Sequence, residues 1–247
     1  MIASRRGRGG GDLLQAAPLT VALIAANVLM YIVQMRDTTP TVVSSGTAAG
    51  SLVADGPVEA HLILWGPMVA TGEWWRLLSC GFLHASPLHL GTNMLSLFFI
   101  GRLVEPAIGT LRTGLIYLVS LAAGSLGVMV LEPGGATLGA SGAIFGLAGA
   151  LLVIAHIRGA GVMQTGIGPM ILLNLAFTFG IPGISIGGHV GGLLGGAALG
   201  YAILEIDKRT RPRQAGDTRV AAIAAAAFLA MLVISFAIAR SKYPSLG

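Results

Sequence analysis

Residues 139–157 read GASGAIFGLAGALLVIAHI, with no acid, lysine or arginine among them. Crossing about 30 Å of bilayer hydrocarbon takes roughly 20 mostly apolar residues as helix, and lipid offers backbone groups no hydrogen-bond partners, so such a stretch predicts a spanning helix. Its opening differs from its body. Gly139, Ala140, Ser141 and Gly142 put a hydroxyl among the smallest residues, and Gly142, Gly146 and Gly149 follow at helical spacing. Such small-residue seams let a second helix come close.

The rest of the chain has the same character. Of its 247 residues 54% are hydrophobic and only 10% charged, with a mean hydropathy of +0.82, whereas about a quarter of residues are charged in soluble domains. Apolar segments stand at about 17–35, 87–104, 113–131, 139–157, 168–181, 187–204 and 219–239, which predicts an all-α polytopic membrane protein of about seven spans. The fifth is short and runs into Gly180, Ile181, Pro182 and Gly183, so it is expected to end early in a loop. The expected organisation is a disordered N-terminus over 1–16, a six-helix membrane domain over 17–204, a basic loop over 205–218, and one further helix with a short tail over 219–247. An uncleaved first span is preferred to a secretory signal, because the stretch from Pro18 to Met35 is long for an h-region and lacks a small-x-small cleavage site.

The net charge of +5 and pI near 10.0 do not indicate nucleic-acid binding, because the basic residues lie between apolar runs instead of clustering on a polar surface. They report topology. With the N-terminus inside, all the basic residues except Arg36, Arg76, Arg240 and Lys242 fall on the cytoplasmic side, as the positive-inside bias requires. The connection from about 36 to 86, with Trp65, Trp74 and Trp75, is then expected on the outer face, partly in the interface where tryptophan is favoured. Cys80 is the one cysteine, so a disulfide framework and a Cys-based metal site are excluded.

Under this topology the fourth span, opened by Ser141, and the sixth, opened by Gly187, Gly188 and His189, both enter from outside. Ser141 and His189 therefore fall at similar depth. A serine hydroxyl needs a base to take its proton, and a neutral imidazole does so near pH 7. Gly192, Gly196 and Gly200 give the sixth span a seam to match the fourth. None of the acids lies in the third to sixth spans and only Glu132 precedes Ser141 in its loop, which favours a Ser-His dyad over a triad. His84, His89 and Asn93 are candidate oxyanion donors, with His89 and Asn93 one helical turn apart, and backbone N–H groups at the start of the fourth helix add to them.

Together these pieces resemble the rhomboid family: Trp75-Arg76 in the first long loop, His84, His89 and Asn93, then Gly139-Ala140-Ser141-Gly142, then His189 with Gly192 and Gly196. The resemblance covers nearly the whole chain. It implies a six-helix core with a Ser-His dyad of Ser141 and His189, an oxyanion site using His89 and Asn93, an outward-opening cavity, and cleavage of other proteins' transmembrane segments. It further implies structural roles for Trp75, Arg76 and Glu105, supporting roles for His84, Gly139 and Gly142, no cofactor, and a seventh helix of the kind added in one subgroup. The implied location is a bacterial plasma membrane. Where some members carry a tyrosine four residues after the serine, this chain has Phe145, which can pack on His189 but not donate a hydrogen bond.

Three other readings start from the same residues. A serine in a Gly/Ala-rich helix on its own is a packing residue. His84, His89 and His189 as metal ligands would want a Cys or carboxylate beside them, and no H-E-x-x-H occurs. A small transporter would carry inverted repeats, which are absent. The alternative kept is a catalytically silent rhomboid-like protein that binds membrane segments.

Overall fold

The computed structural model describes residues 16–44, 51–159, 161, 168, 169, 172, 184–210 and 213–246. The expected fifth span and the expected disordered stretch before residue 16 lie outside these, apart from a few positions. Helix α1 spans Pro18–Gln34; a hairpin pairs β1 (Thr41–Ser44) with β2 (Ser51–Ala54) in antiparallel register, Val42 opposite Val53. Short helices α2 (Pro57–Leu62), α3 (Gly66–Ala70) and α4 (Arg76–Ser79) follow. The long helices are α5 (Pro87–Ile108), α6 (Thr110–Leu131), α7 (Ser141–Ile157), α8 (Ile186–Arg209) and α9 (Arg213–Lys242).

Among the described residues, α6, α8 and α9 are each long and apolar enough to cross a membrane, and α1 and α7 are shorter apolar helices. Helix α6 packs against α7, α8 and α9, and α8 packs along α7. Ile116, Leu147 and Ile203, from α6, α7 and α8, are fully buried where these helices meet.

Several helices overrun the apolar segments that predicted them. Hydropathy marks only the greasy part of a helix, whereas backbone hydrogen bonding continues through polar turns when side chains satisfy one another. Thus α8 runs five residues past 204, through Glu205 and Lys208, which pair at 2.6 Å. Helix α9 begins at Arg213 instead of 219, with Asp217 bound to Arg112 of α6 at 2.7 Å. The same buried guanidinium takes both oxygens of Asp207 on α8, at 2.7 and 2.8 Å. One arginine therefore joins α6, α8 and α9 at the end of the bundle remote from Ser141. Glu105, expected after the second span, sits inside α5. Its carboxylate is buried and accepts from Leu19 N (2.9 Å), Thr20 N (2.8 Å), Thr20 Oγ1 (2.8 Å) and Thr110 Oγ1 (2.9 Å). It satisfies N–H groups at the start of α1 that have no acceptor within their own helix.

The described part of the 36–86 connection carries the hairpin and three short helices. Trp74 and Trp75 are exposed, at 53% and 40%, but Trp65 is buried at 4% and donates Nε1 to Gly134 O at 3.2 Å. Its apolar ring is thereby removed from water while its N–H keeps a hydrogen-bond partner. Arg76 is buried too, held by Glu73 at 2.6 Å and donating to Ile63 O at 2.9 Å. This segment is stitched to residues 133–139 through the backbone. Leu64 N donates to Thr137 O (3.1 Å) and Thr137 N to Leu64 O (2.9 Å); Gly66 N donates to Pro133 O (3.0 Å) and Gly139 N to Cys80 O (2.9 Å).

Candidate active site

Residues 139–141 make the turn from this stitched segment into α7. Gly139 has φ +121°, and a Cβ there would stand 2.9 Å from both Cε1 and Nε2 of His89, so glycine is required twice over. Ser141 follows as the first residue of α7, where the leading N–H groups have no acceptor within the helix.

His189 lies in the first turn of α8. That turn is capped from two sides: Ser185 Oγ accepts from Gly188 N at 2.9 Å, and Glu132 Oε1 accepts from Gly187 N at 2.9 Å. Glu132, the acid considered in the loop before Ser141, thus holds the start of α8. His189 Nε2 stands 2.7 Å from Ser141 Oγ, within reach for proton transfer. The Phe145 ring is stacked on the His189 ring, centroids 4.4 Å apart.

The two helices come this close because glycines face backbone. A Cβ at Gly192 would fall on the Gly142 carbonyl, and one at Gly196 on the Gly146 carbonyl. The expected seams therefore lie in contact along α7 and α8, with the Ser141–His189 pair at their upper end.

His89 and Asn93 are on one face of α5, whose first turn is capped by Ser86 Oγ accepting from His89 N at 3.1 Å. The amide nitrogen of Asn93, buried, would lie 3.8 Å from a Cβ at Gly139. Among the described residues that Nδ2 has no hydrogen-bond partner. Leaving a buried donor unmade costs about 1–3 kcal/mol, which is tolerated where a ligand is to be received. His84 is buried with its ring edge-on to His89, centroids 5.1 Å apart. Ser141, His189, His89, Asn93, Gly139 and Phe145 all line one cavity of about 1020 Å³.

Trp75, Arg76 and Glu105 do not line this cavity; Arg76 and Glu105 make the contacts described above, and Trp75 donates Nε1 to His61 O at 3.2 Å. No group of three or more His, Cys, Asp or Glu able to hold a metal occurs among the described residues. Sequence reasoning passed over the caps Ser86 and Ser185, although Ser86-Pro87 carries a readable signal, a capping serine followed by proline at the first helical position. It also passed over Gln34, whose amide meets the His84 backbone, and the Ala85 N–H, which donates to His89 Nδ1.

Comparison with known proteins adds a second line of observation. The family model of the Rhomboid domain matches residues 71–206. The Rhomboid protease GluP of Bacillus subtilis is 39% identical over 188 residues, covering 73% of this chain and 34% of GluP. RHOMBOID-like protein 2 of Arabidopsis thaliana is 38% identical over 177 residues, 64% of this chain and 50% of that protein. A putative rhomboid protease of Bacillus subtilis, YdcA, is 37% identical over 146 residues, 57% of this chain and 73% of YdcA. The chain spans between a third and a half of the length of the first two.

Proposed function

The chain belongs to the rhomboid family, and from that premise we propose that it is an intramembrane serine endopeptidase that cleaves transmembrane segments of other membrane proteins. The observation that carries this reading is the 2.7 Å approach of His189 Nε2 to Ser141 Oγ inside a cavity that also receives His89 and Asn93.

His189 takes the hydroxyl proton as Ser141 Oγ attacks a peptide carbonyl. The carbonyl oxygen gains negative charge and is met by His89, by the unpartnered Asn93 amide and by N–H groups at the start of α7. His189 then passes the proton to the departing amine. Water attacks the resulting ester with His189 again as base, releasing the second product and restoring Ser141. Substrates would be helices that unwind easily near the cavity, where Gly or Pro weakens them.

We assign the six-helix catalytic domain to 17–204 and the added span to 219–247, with the basic stretch 205–218 between them closing α8 and opening α9, about seven spans in all. The distribution of basic residues supports a cytoplasmic N-terminus and a cavity opening on the outer side of a plasma membrane.

Purified protein in detergent, treated with a fluorophosphonate probe, tests the reading. Labelling is expected in the parent and lost in Ser141→Ala and His189→Ala. A folded parent that fails to label would overturn it in favour of a family member that binds membrane segments without cutting them.

A further inference from the structure

Gln34, the last residue of α1, is 4% exposed and meets no other side chain in a hydrogen bond among those of the described residues. Its amide instead brackets the backbone of His84: His84 N donates to Oε1 at 3.1 Å and Nε2 donates to His84 O at 3.4 Å. The two bonds fix which end of the amide is oxygen, since a flipped side chain would set donor against donor.

The His84 carbonyl and the Ala85 N–H belong to one planar peptide unit, so holding the first aims the second. Ala85 N donates to His89 Nδ1 at 3.4 Å. A neutral imidazole carries one proton, and a nitrogen that accepts a hydrogen bond cannot bear it. With Nδ1 accepting, the proton of His89 resides on Nε2, the edge that faces Gly139, two residues before Ser141. The opposite tautomer would present a lone pair there, which repels a developing oxyanion instead of stabilising it.

We propose that Gln34 is a positioning residue that fixes the Nε2–H tautomer of His89 by holding the His84–Ala85 peptide. The proposal rests on the reading of His89 as an oxyanion donor, but its first test does not need activity. Each bond on the peptide unit polarises the other, so removing the Gln34 donor both frees the plane and weakens the Ala85 N–H as a donor. The remote end of the first helix thereby acts on the reaction through one amide group.

The test uses full-length protein labelled with ¹⁵N-histidine in detergent, with His89→Ala identifying the His89 resonances among the five histidines. The parent is expected to show His89 protonated at Nε2, and Gln34→Met to show a mixture of tautomers. If Gln34→Met does not fold, Gln34→Asn replaces it, a shorter amide that keeps the polarity of the site but cannot span both main-chain partners of His84. In the same variants the saturating rate of fluorophosphonate labelling should fall about tenfold with half-saturation unchanged, a loss confined to the transition state. In the His89→Ala background the same change should cost less than about twofold, because the residue through which it acts is gone. An unaltered His89 spectrum in a folded Gln34 variant, or full multiplicative loss in the double variant, would overturn the proposal. A tautomer shift in the Gln34 variant, with a parent that never labels, would sustain the Gln34–His89 link and remove the protease reading instead.

Discussion

The ring of Phe145 lies against that of His189 with the two planes inclined by only 20°. Phe145 is four residues after Ser141, so a single face of α7 presents both the proposed nucleophile and the ring stacked on its proposed base. Stacking of this kind contributes about 0.5–1.5 kcal/mol beyond area burial. Phe145→Tyr should therefore label with fluorophosphonate within about twofold of the parent, and Phe145→Leu about tenfold more slowly in protein that is folded but somewhat less heat-stable. Parent-like labelling by Phe145→Leu would show that His189 is oriented by something else.

The glycine contacts between α7 and α8 predict an order of damage. A methyl at Gly196 collides with the Gly146 backbone, which cannot turn aside, whereas one at Gly200 meets Ala150 Cα at 2.9 Å and its Cβ at 3.0 Å. Overpacking costs about 1–3 kcal/mol and is relieved here only by moving the helices apart. Because these helices hold Ser141 and His189 together, Gly196→Ala should lower both the unfolding midpoint and the labelling rate, and Gly200→Ala should do so less. Equal effects of the two, measured side by side, would contradict the close-approach account.

Glu105 offers the opposite separation. Glu105→Ala strips acceptors from two backbone N–H groups and two hydroxyls at the junction of α1, α5 and α6. Unpaired buried donors cost about 1–3 kcal/mol each, so the unfolding temperature should drop markedly. The Ser141–His189 pair is untouched, so at a temperature where the variant is folded, fluorophosphonate labelling should proceed at the parent's rate. A slowed rate in folded protein would assign Glu105 a part in the chemistry.

What was legible in the sequence follows from where each signal resides. The approach of Ser141 to His189 could be anticipated because glycine seams and entry depth are properties of the helices themselves. The end of α8 and the start of α9 could not, because charged turns satisfied by Arg112 or Lys208 look like loop to a hydropathy reading. The burial of Trp65 could not be read either, because tryptophan suits both an interface and a core, and the partner of its N–H is a backbone carbonyl, that of Gly134. Gln34 was invisible for a further reason: its partners are main-chain groups of His84, and backbone partners leave no complementary residue to find.

The stitching of residues 62–81 to residues 133–139 also bears on how the molecule is assembled. The turn that delivers Ser141 takes its backbone partners from Leu64, Gly66 and Cys80, chain that leaves the ribosome well before it. The earlier segment is thus a template on which the later one is laid, and the contact spans two intervening long helices. Closing so large a loop is slow relative to forming the helices within it. The turn that carries Ser141 should accordingly be among the last features to mature, so that a newly inserted chain passes through a helical state in which the Ser141–His189 pair is not yet assembled.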